Sequence, residues 1–167
     1  MDSHNTFYTA RTAALARLEW AGLLVVAATL TLIHRSEVSW LLFGALFVVI
    51  DVVGYLPGML AYRRSGGGGI PRAYYVLYNT MHSLATWIAL LGLAALVWGW
   101  QWAFLAVPIH LLGDRSLFGN ALKSFGVSFE PTTHPAFAEF QNQYAVAGPW
   151  RGAPRTDERQ EPQHAHA

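Results

Sequence analysis

Four long apolar stretches divide the sequence, at residues 15–33, 40–60, 73–97 and 100–112, with the last continuing as helix towards residue 122. Each is close to the roughly 20 residues an α-helix needs to cross a hydrocarbon core about 30 Å thick. Polar residues do not recur through them at the spacing of a solvated helix face. The pattern therefore predicts an all-α chain, an integral membrane four-helix bundle. A soluble bundle is the alternative, and four such lengths in succession argue against it. After the fourth stretch the pattern decays. Residues 123–147 mix Phe125, Phe129, Phe137, Phe140 and Tyr144 with polar positions, which suits a cytoplasmic or membrane-surface segment. Residues 148–167 are Pro, Arg, Glu, Gln, Ala and His, too polar to bury the area that ordering requires. The expected organisation is a cytoplasmic segment 1–14, a membrane domain 15–122, the segment 123–147 and a disordered tail.

Charge adds an orientation. Of the 11 basic residues, Arg11, Arg17, Arg63, Arg64, Arg72, Arg115, Lys123, Arg151, Arg155 and Arg159 fall on one side of such a bundle, and Arg35 alone falls on the other. Basic residues gather on the cytoplasmic side, so both termini are expected in the cytoplasm of a multi-pass protein of the cell (inner) membrane. Trp98, Trp100 and Trp102, with Trp40, then mark the far interface, where tryptophan collects. Charged residues make up only 13% of the chain and the net charge is +1, which offers no field to attract nucleic acid. The chain has no cysteine, which removes disulfides, thiolate metal sites and thiol nucleophiles. The first apolar run is too long for a secretory signal and lacks a small-residue cleavage site, so it reads as the first span. The four glycines at 66–69 read as a flexible link and not as a phosphate cradle.

Ionisable groups inside a bilayer are costly and usually face the bundle interior at functional sites. Asp51 and His82 each lie about nine residues from the cytoplasmic end of their spans, and His110 lies about ten residues into the fourth from the far side. At roughly 1.5 Å per residue, all three come to about 13–15 Å from the cytoplasmic boundary. Asn79 and His82 are three apart, and His110 and Asp114 four apart, so each pair shares a helix face. Tyr55 and Tyr78 add hydroxyls near the same depth, and Asp114 sits closer to the cytoplasm, near the level of Arg17 and Glu19. The result is a polar track opening towards the cytoplasm.

Three readings fit this layer. Asp51, His82 and His110 are a suitable ligand set for Zn²⁺ or Fe²⁺. The same residues with Asp114 are equally suited to metal-free acid–base catalysis near neutral pH. A buried Asp–His network that only fixes helix register is the third. Arg115 beside Asp114 is expected to form an ion pair at the membrane boundary. His134 reads as a surface histidine or a cap on the site, and His164 and His166 as part of a solvated tail. No G-x-S-x-G, HExxH or histidine-box series is present, which disfavours serine hydrolase, zincin and di-iron desaturase chemistry.

Several spaced blocks together resemble a family of small bacterial membrane proteins catalogued as a domain of unknown function. They are Arg17-Leu18-Glu19, Trp40-Leu41-Leu42-Phe43, Asp51-x-x-Gly54-Tyr55-Leu56, Tyr78-Asn79-x-x-His82, and His110-x-x-x-Asp114-Arg115-x-Leu117-x-Gly119-x-x-Leu122-Lys123, followed by Phe129 and Thr133-His134. The resemblance covers about residues 15–135. It implies a four-span architecture in which Asp51, Asn79, His82, His110, Asp114 and Arg115 belong to the family pattern, and it brings no activity. The chain departs from that pattern in its longer glycine loop between Arg63 and Arg72 and in the tail after Phe140.

The leading expectation is a membrane-embedded enzyme acting on a lipid-like or other apolar small molecule. Its catalytic or metal-binding groups are Asp51, His82, His110 and Asp114, with Asn79, Tyr55, Tyr78 and Arg115 binding substrate. The alternatives are a proton-coupled carrier, which four spans support only as a homo-oligomer, and a structural accessory subunit.

Overall fold

The computed structural model describes residues 10–130, 132–133 and 135–147. The described residues up to Glu130 form one compact unit, and those after it belong to a second. His134, His164, His166 and the tail from residue 148 lie outside the described residues.

Every regular element described is helical. Helix α1 spans Ala10–Ile33, α2 Trp40–Gly54, α3 Leu56–Arg64, α4 Arg72–Met81 and α5 Leu84–Trp98. Two spans, 11–33 and 40–64, are long and apolar enough to cross a membrane, and there are three if α4 and α5 count as one bent span. The first helix begins five residues before the expected boundary at 15, so Arg11 lies on it. The second span includes a break at Tyr55, just before α3, where Pro57 lacks the N–H that a continuous ladder needs. In the third, α4 and α5 meet at 54°. The turn falls at His82–Ser83, and the Ser83 hydroxyl caps the new helix by accepting from the Thr86 N–H at 3.3 Å.

The fourth apolar stretch is three short pieces in sequence: a 3₁₀ turn Trp102–Leu105, α6 Ala106–Gly113 and a π turn Asp114–Phe118. The helix expected to run towards residue 122 stops at Phe118, because Gly119 adopts φ 74° and the Asn120 N–H turns back to the Asp114 carbonyl at 2.9 Å. This composite helix is the core of the unit. Ala103, Ala106, Val107 and Leu111 are buried on it, and it packs against α1, α2 and α5. Ile50 of α2 and Trp87 of α5 close on Val107 and Leu111. The outer helices turn large apolar side chains outward instead, among them Leu15, Leu18, Leu23, Val25, Leu32, Val48, Ile88 and Leu96. So much contiguous apolar surface is what a hydrocarbon surround requires and what water penalises.

The far end is fastened by polar and aromatic contacts. The Trp102 ring stacks on His34 at 3.5 Å and its indole N–H donates to Glu37 at 3.2 Å. At the other end, residues 119–130 fold back as a strap across α3 and α4. Phe129 is fully buried between Tyr75 and Tyr78 and lies against Gly58, where a Cβ would fall 2.2 Å from the ring. The second unit holds α7, Pro135–Ala147, whose Phe137, Phe140 and Tyr144 stack in series along one face.

Candidate metal centre

Three elements bring the site together. Asp51 comes from the last turn of α2, His82 from the break between α4 and α5, and His110 from α6. Asp114 follows one turn after His110, at the start of the π turn. Such turns insert one extra residue into a helix and often sit at functional sites. Close approach of α2 to the break depends on Gly54, where a Cβ would lie 2.6 Å from the Met81 Cβ and 3.2 Å from the His82 ring.

The contacts converge on two nitrogens. His82 Nε2 lies 3.4 Å from Asp51 Oδ1 and 3.5 Å from Asp114 Oδ2. His110 Nε2 lies 3.6 Å from Asp51 Oδ2 and 3.7 Å from Asp114 Oδ2. One ligand atom from each of Asp51, His82 and His110 fits within 4.8 Å of the others. Both histidine side chains are only 5% exposed, whereas Asp51 is 53% exposed and leaves the layer open on its side. Tyr78 stacks on the His82 ring at 3.9 Å, and Phe47 meets His110 edge-on at 4.7 Å, so both rings are held by packing.

Hydrogen bonding fixes what these nitrogens are able to do. His82 Nδ1 lies 3.0 Å from the Tyr78 carbonyl oxygen. A carbonyl only accepts, so Nδ1 is the donor, and Nε2 of the neutral ring presents a lone pair to two carboxylates. His110 has no hydrogen-bond partner at either ring nitrogen, although both are buried. Lone pairs facing carboxylate oxygens repel unless a cation stands between them, either a proton on the ring or a metal ion.

The separations bear on which. A charge-assisted N–H···O bond closes to about 2.7–2.9 Å, and none of the four contacts does. Ligands around a tetrahedral Zn²⁺ with bonds of about 2.0–2.1 Å stand about 3.3–3.4 Å apart, close to the distances found. The His82 Nδ1–H donated to a backbone carbonyl is also the outer contact that metal-bound histidines usually make. The donor set is therefore suited to a divalent ion that accepts nitrogen and oxygen ligands, such as Zn²⁺ or Fe²⁺.

The remaining expected site residues divide into two groups. Tyr78 and Arg115, with His82, Asp114, Leu111, Asn120 and Ala121, line a narrow, partly open depression beside the centre that has no room for a water molecule. Arg115 donates a long 3.4 Å bond to the His82 carbonyl and lies over the Trp20 ring at 4.8 Å. The expected Arg115–Asp114 ion pair is not found among the described residues. Asn79 and Tyr55 face the strap instead. The Asn79 amide donates to the Lys123 carbonyl at 2.8 Å and accepts from the Lys123 N–H at 2.7 Å, while the Tyr55 hydroxyl donates to Glu130 at 2.8 Å. Sequence reasoning missed Trp20, Phe47 and Ser83, which hold or aim the site. Only Ser83 carried a signal, a capping residue in the middle of an apolar run. Models of known protein families, curated proteins and solved structures give no match to this chain.

Proposed function

We propose that this chain is a four-span protein of the inner membrane with both termini cytoplasmic, built around an intramembrane divalent-metal centre. Asp51, His82 and His110 are its ligands, Asp114 is the further carboxylate facing both imidazoles, and the centre serves an enzyme acting on a lipid-like molecule. The observation that supports it most is buried His110, neither of whose nitrogens has a hydrogen bond and whose Nε2 stands opposite two carboxylates at about the spacing of metal ligands. A network that only fixed helix register would satisfy those atoms, because each buried polar group left unpaired costs about 1–3 kcal/mol. Structural metal sites are closed, whereas catalytic ones keep a position for water or substrate. The exposure of Asp51 favours the second kind. A bound ion would act there as a Lewis acid on a substrate oxygen. The protein's own residues hold the imidazoles in place, exclude water on the Tyr78 and Phe47 sides and leave access on the Asp51 side.

Elemental analysis of the purified protein tests this reading. Wild type should retain close to one transition metal per chain, and the His82→Ala/His110→Ala variant should retain none. Equal trace metal in both would end the metal reading.

A further inference from the structure

Three cationic side chains approach the cytoplasmic side of the centre, and they differ in what holds them. Arg17 donates to the carbonyls of Ser116 and Leu117, which ties it to the π turn. Lys123 donates to the Phe129 carbonyl and lies over the Tyr78 and Phe129 rings at 4.7 and 4.6 Å. Arg115 is different. A guanidinium has five N–H donors, and among the described residues Arg115 uses one, in the long bond to the His82 carbonyl. Its Cζ lies 4.8 Å from the centre of the Trp20 ring, a cation–π contact that holds the group without consuming an N–H donor. Arg115 also belongs to the lining of the depression, together with Asp114 and His82.

Charge points the same way. If a divalent ion is bound, Asp51 and Asp114 balance it, and the half-buried Arg115 remains uncompensated. An oriented guanidinium with free donors matches a phosphate or carboxylate group, to which it can bond in bidentate fashion. Leu117, Phe118 and Leu122, close to Arg115 and Ala121 in sequence, expose apolar side chains, a surface for a hydrocarbon chain and not for water.

We infer that Arg115 is the headgroup-binding residue of this site, and that the ligand is an anionic amphiphile whose phosphate or carboxylate meets the Arg115 guanidinium at the depression lined by Tyr78, His82, Asp114 and Asn120. The inference rests on the metal reading above and names the substrate class of the same site. Free inorganic phosphate shares the headgroup chemistry, so the test separates the two sources.

Full-length, metal-loaded protein in a neutral detergent is titrated with n-dodecyl phosphate, and the fluorescence of the tryptophans, which include Trp20, is followed. Saturable binding is expected, weakened at least tenfold in Arg115→Met and less in Arg115→Lys. Ala121→Glu should weaken it as well, by placing a carboxylate in the lining of the depression, whereas Ala121→Gln should not. That pair keeps the test decisive if Arg115→Met fails to fold. Inorganic phosphate at millimolar concentration should not displace the amphiphile; full displacement would overturn the amphiphile assignment in favour of a free anion. Equal affinity of wild type and Arg115→Met, or equally tight binding of the uncharged dodecyl maltoside, would overturn the role of Arg115. Metal content measured on the same samples separates the failures. Metal present with Arg115-independent binding rejects this inference alone, and absent metal in wild type rejects the reading beneath it.

Discussion

His110 illustrates how one side chain constrains the account. Its ring is buried, neither nitrogen has a hydrogen bond, and two carboxylates stand within 3.7 Å. Replacing it with alanine should lower metal affinity by two orders of magnitude or more, since one of the nitrogen ligands is lost; competition with a chelating dye measures this. Asp114→Asn should reduce affinity less and leave the fold intact. Gly54 acts through space and not through chemistry. Gly54→Ala forces α2 away from Met81 and His82, which should cost about 1–3 kcal/mol as overpacking does. It should also weaken metal binding, because Asp51 and His82 move apart. Gly44→Ala, where nothing lies within 4 Å of the added Cβ, should change neither. Thermal unfolding in detergent with and without metal reads both effects. At this scale the sequence was informative for a simple reason. Helical rise is nearly constant, so counting from the ends of apolar runs placed Asp51, His82 and His110 at one depth, and the distances among them agree. Counting does not say which way a side chain turns, and Asn79 and Tyr55, close in depth, turn to the strap.

Among the elements, the least regular ones position the chemistry. The 54° turn between α4 and α5 presents His82, and the π turn follows directly on α6 to present Asp114 and Arg115. Discontinuous helices inside membranes are tolerated where they line a site, and here both breaks do. Neither was placed beforehand, and Ser83, a capping residue within an apolar run, was the one signal of the first. The residues around His82–Ser83 include no proline or glycine, and one extra residue in a π turn leaves the apolar pattern unchanged. The strap was also hidden, because Phe129 follows a polar, glycine-containing stretch that reads as surface. Its fastening makes a separable prediction. Phe129→Ala should destabilise the protein by about 3–5 kcal/mol, the usual cost of removing a buried phenyl ring, and Asn79→Ala by about 1–3 kcal/mol through the unpaired Lys123 backbone. Both variants should still bind metal with nearly wild-type stoichiometry. If Asn79→Ala instead lost the metal at unchanged stability, Asn79 would belong to the centre and not to the strap.

At the largest scale, the unit up to Glu130 has a short buried helix at its centre, with longer apolar helices packed against it. The apolar pattern announced the first two outer spans, because each is long and apolar enough to dominate its window. It also overestimated the regularity of the last stretch, since burial on all sides makes a composite helix as apolar as a simple one. The proposed topology is testable because the chain has no cysteine. A single Ser36→Cys should react with an impermeant maleimide in sealed cells, and Ser65→Cys only after permeabilisation; labelling of both from one side would reject it. The claim on which the rest depends is the metal centre, and X-ray absorption at the edge of the bound metal examines it most directly. The account predicts a shell of nitrogen and oxygen ligands at about 2.0–2.1 Å, with outer scattering from two imidazoles that falls to one in His110→Ala. A metal-free wild-type protein, or a hydrated ion without imidazole scattering, would contradict it.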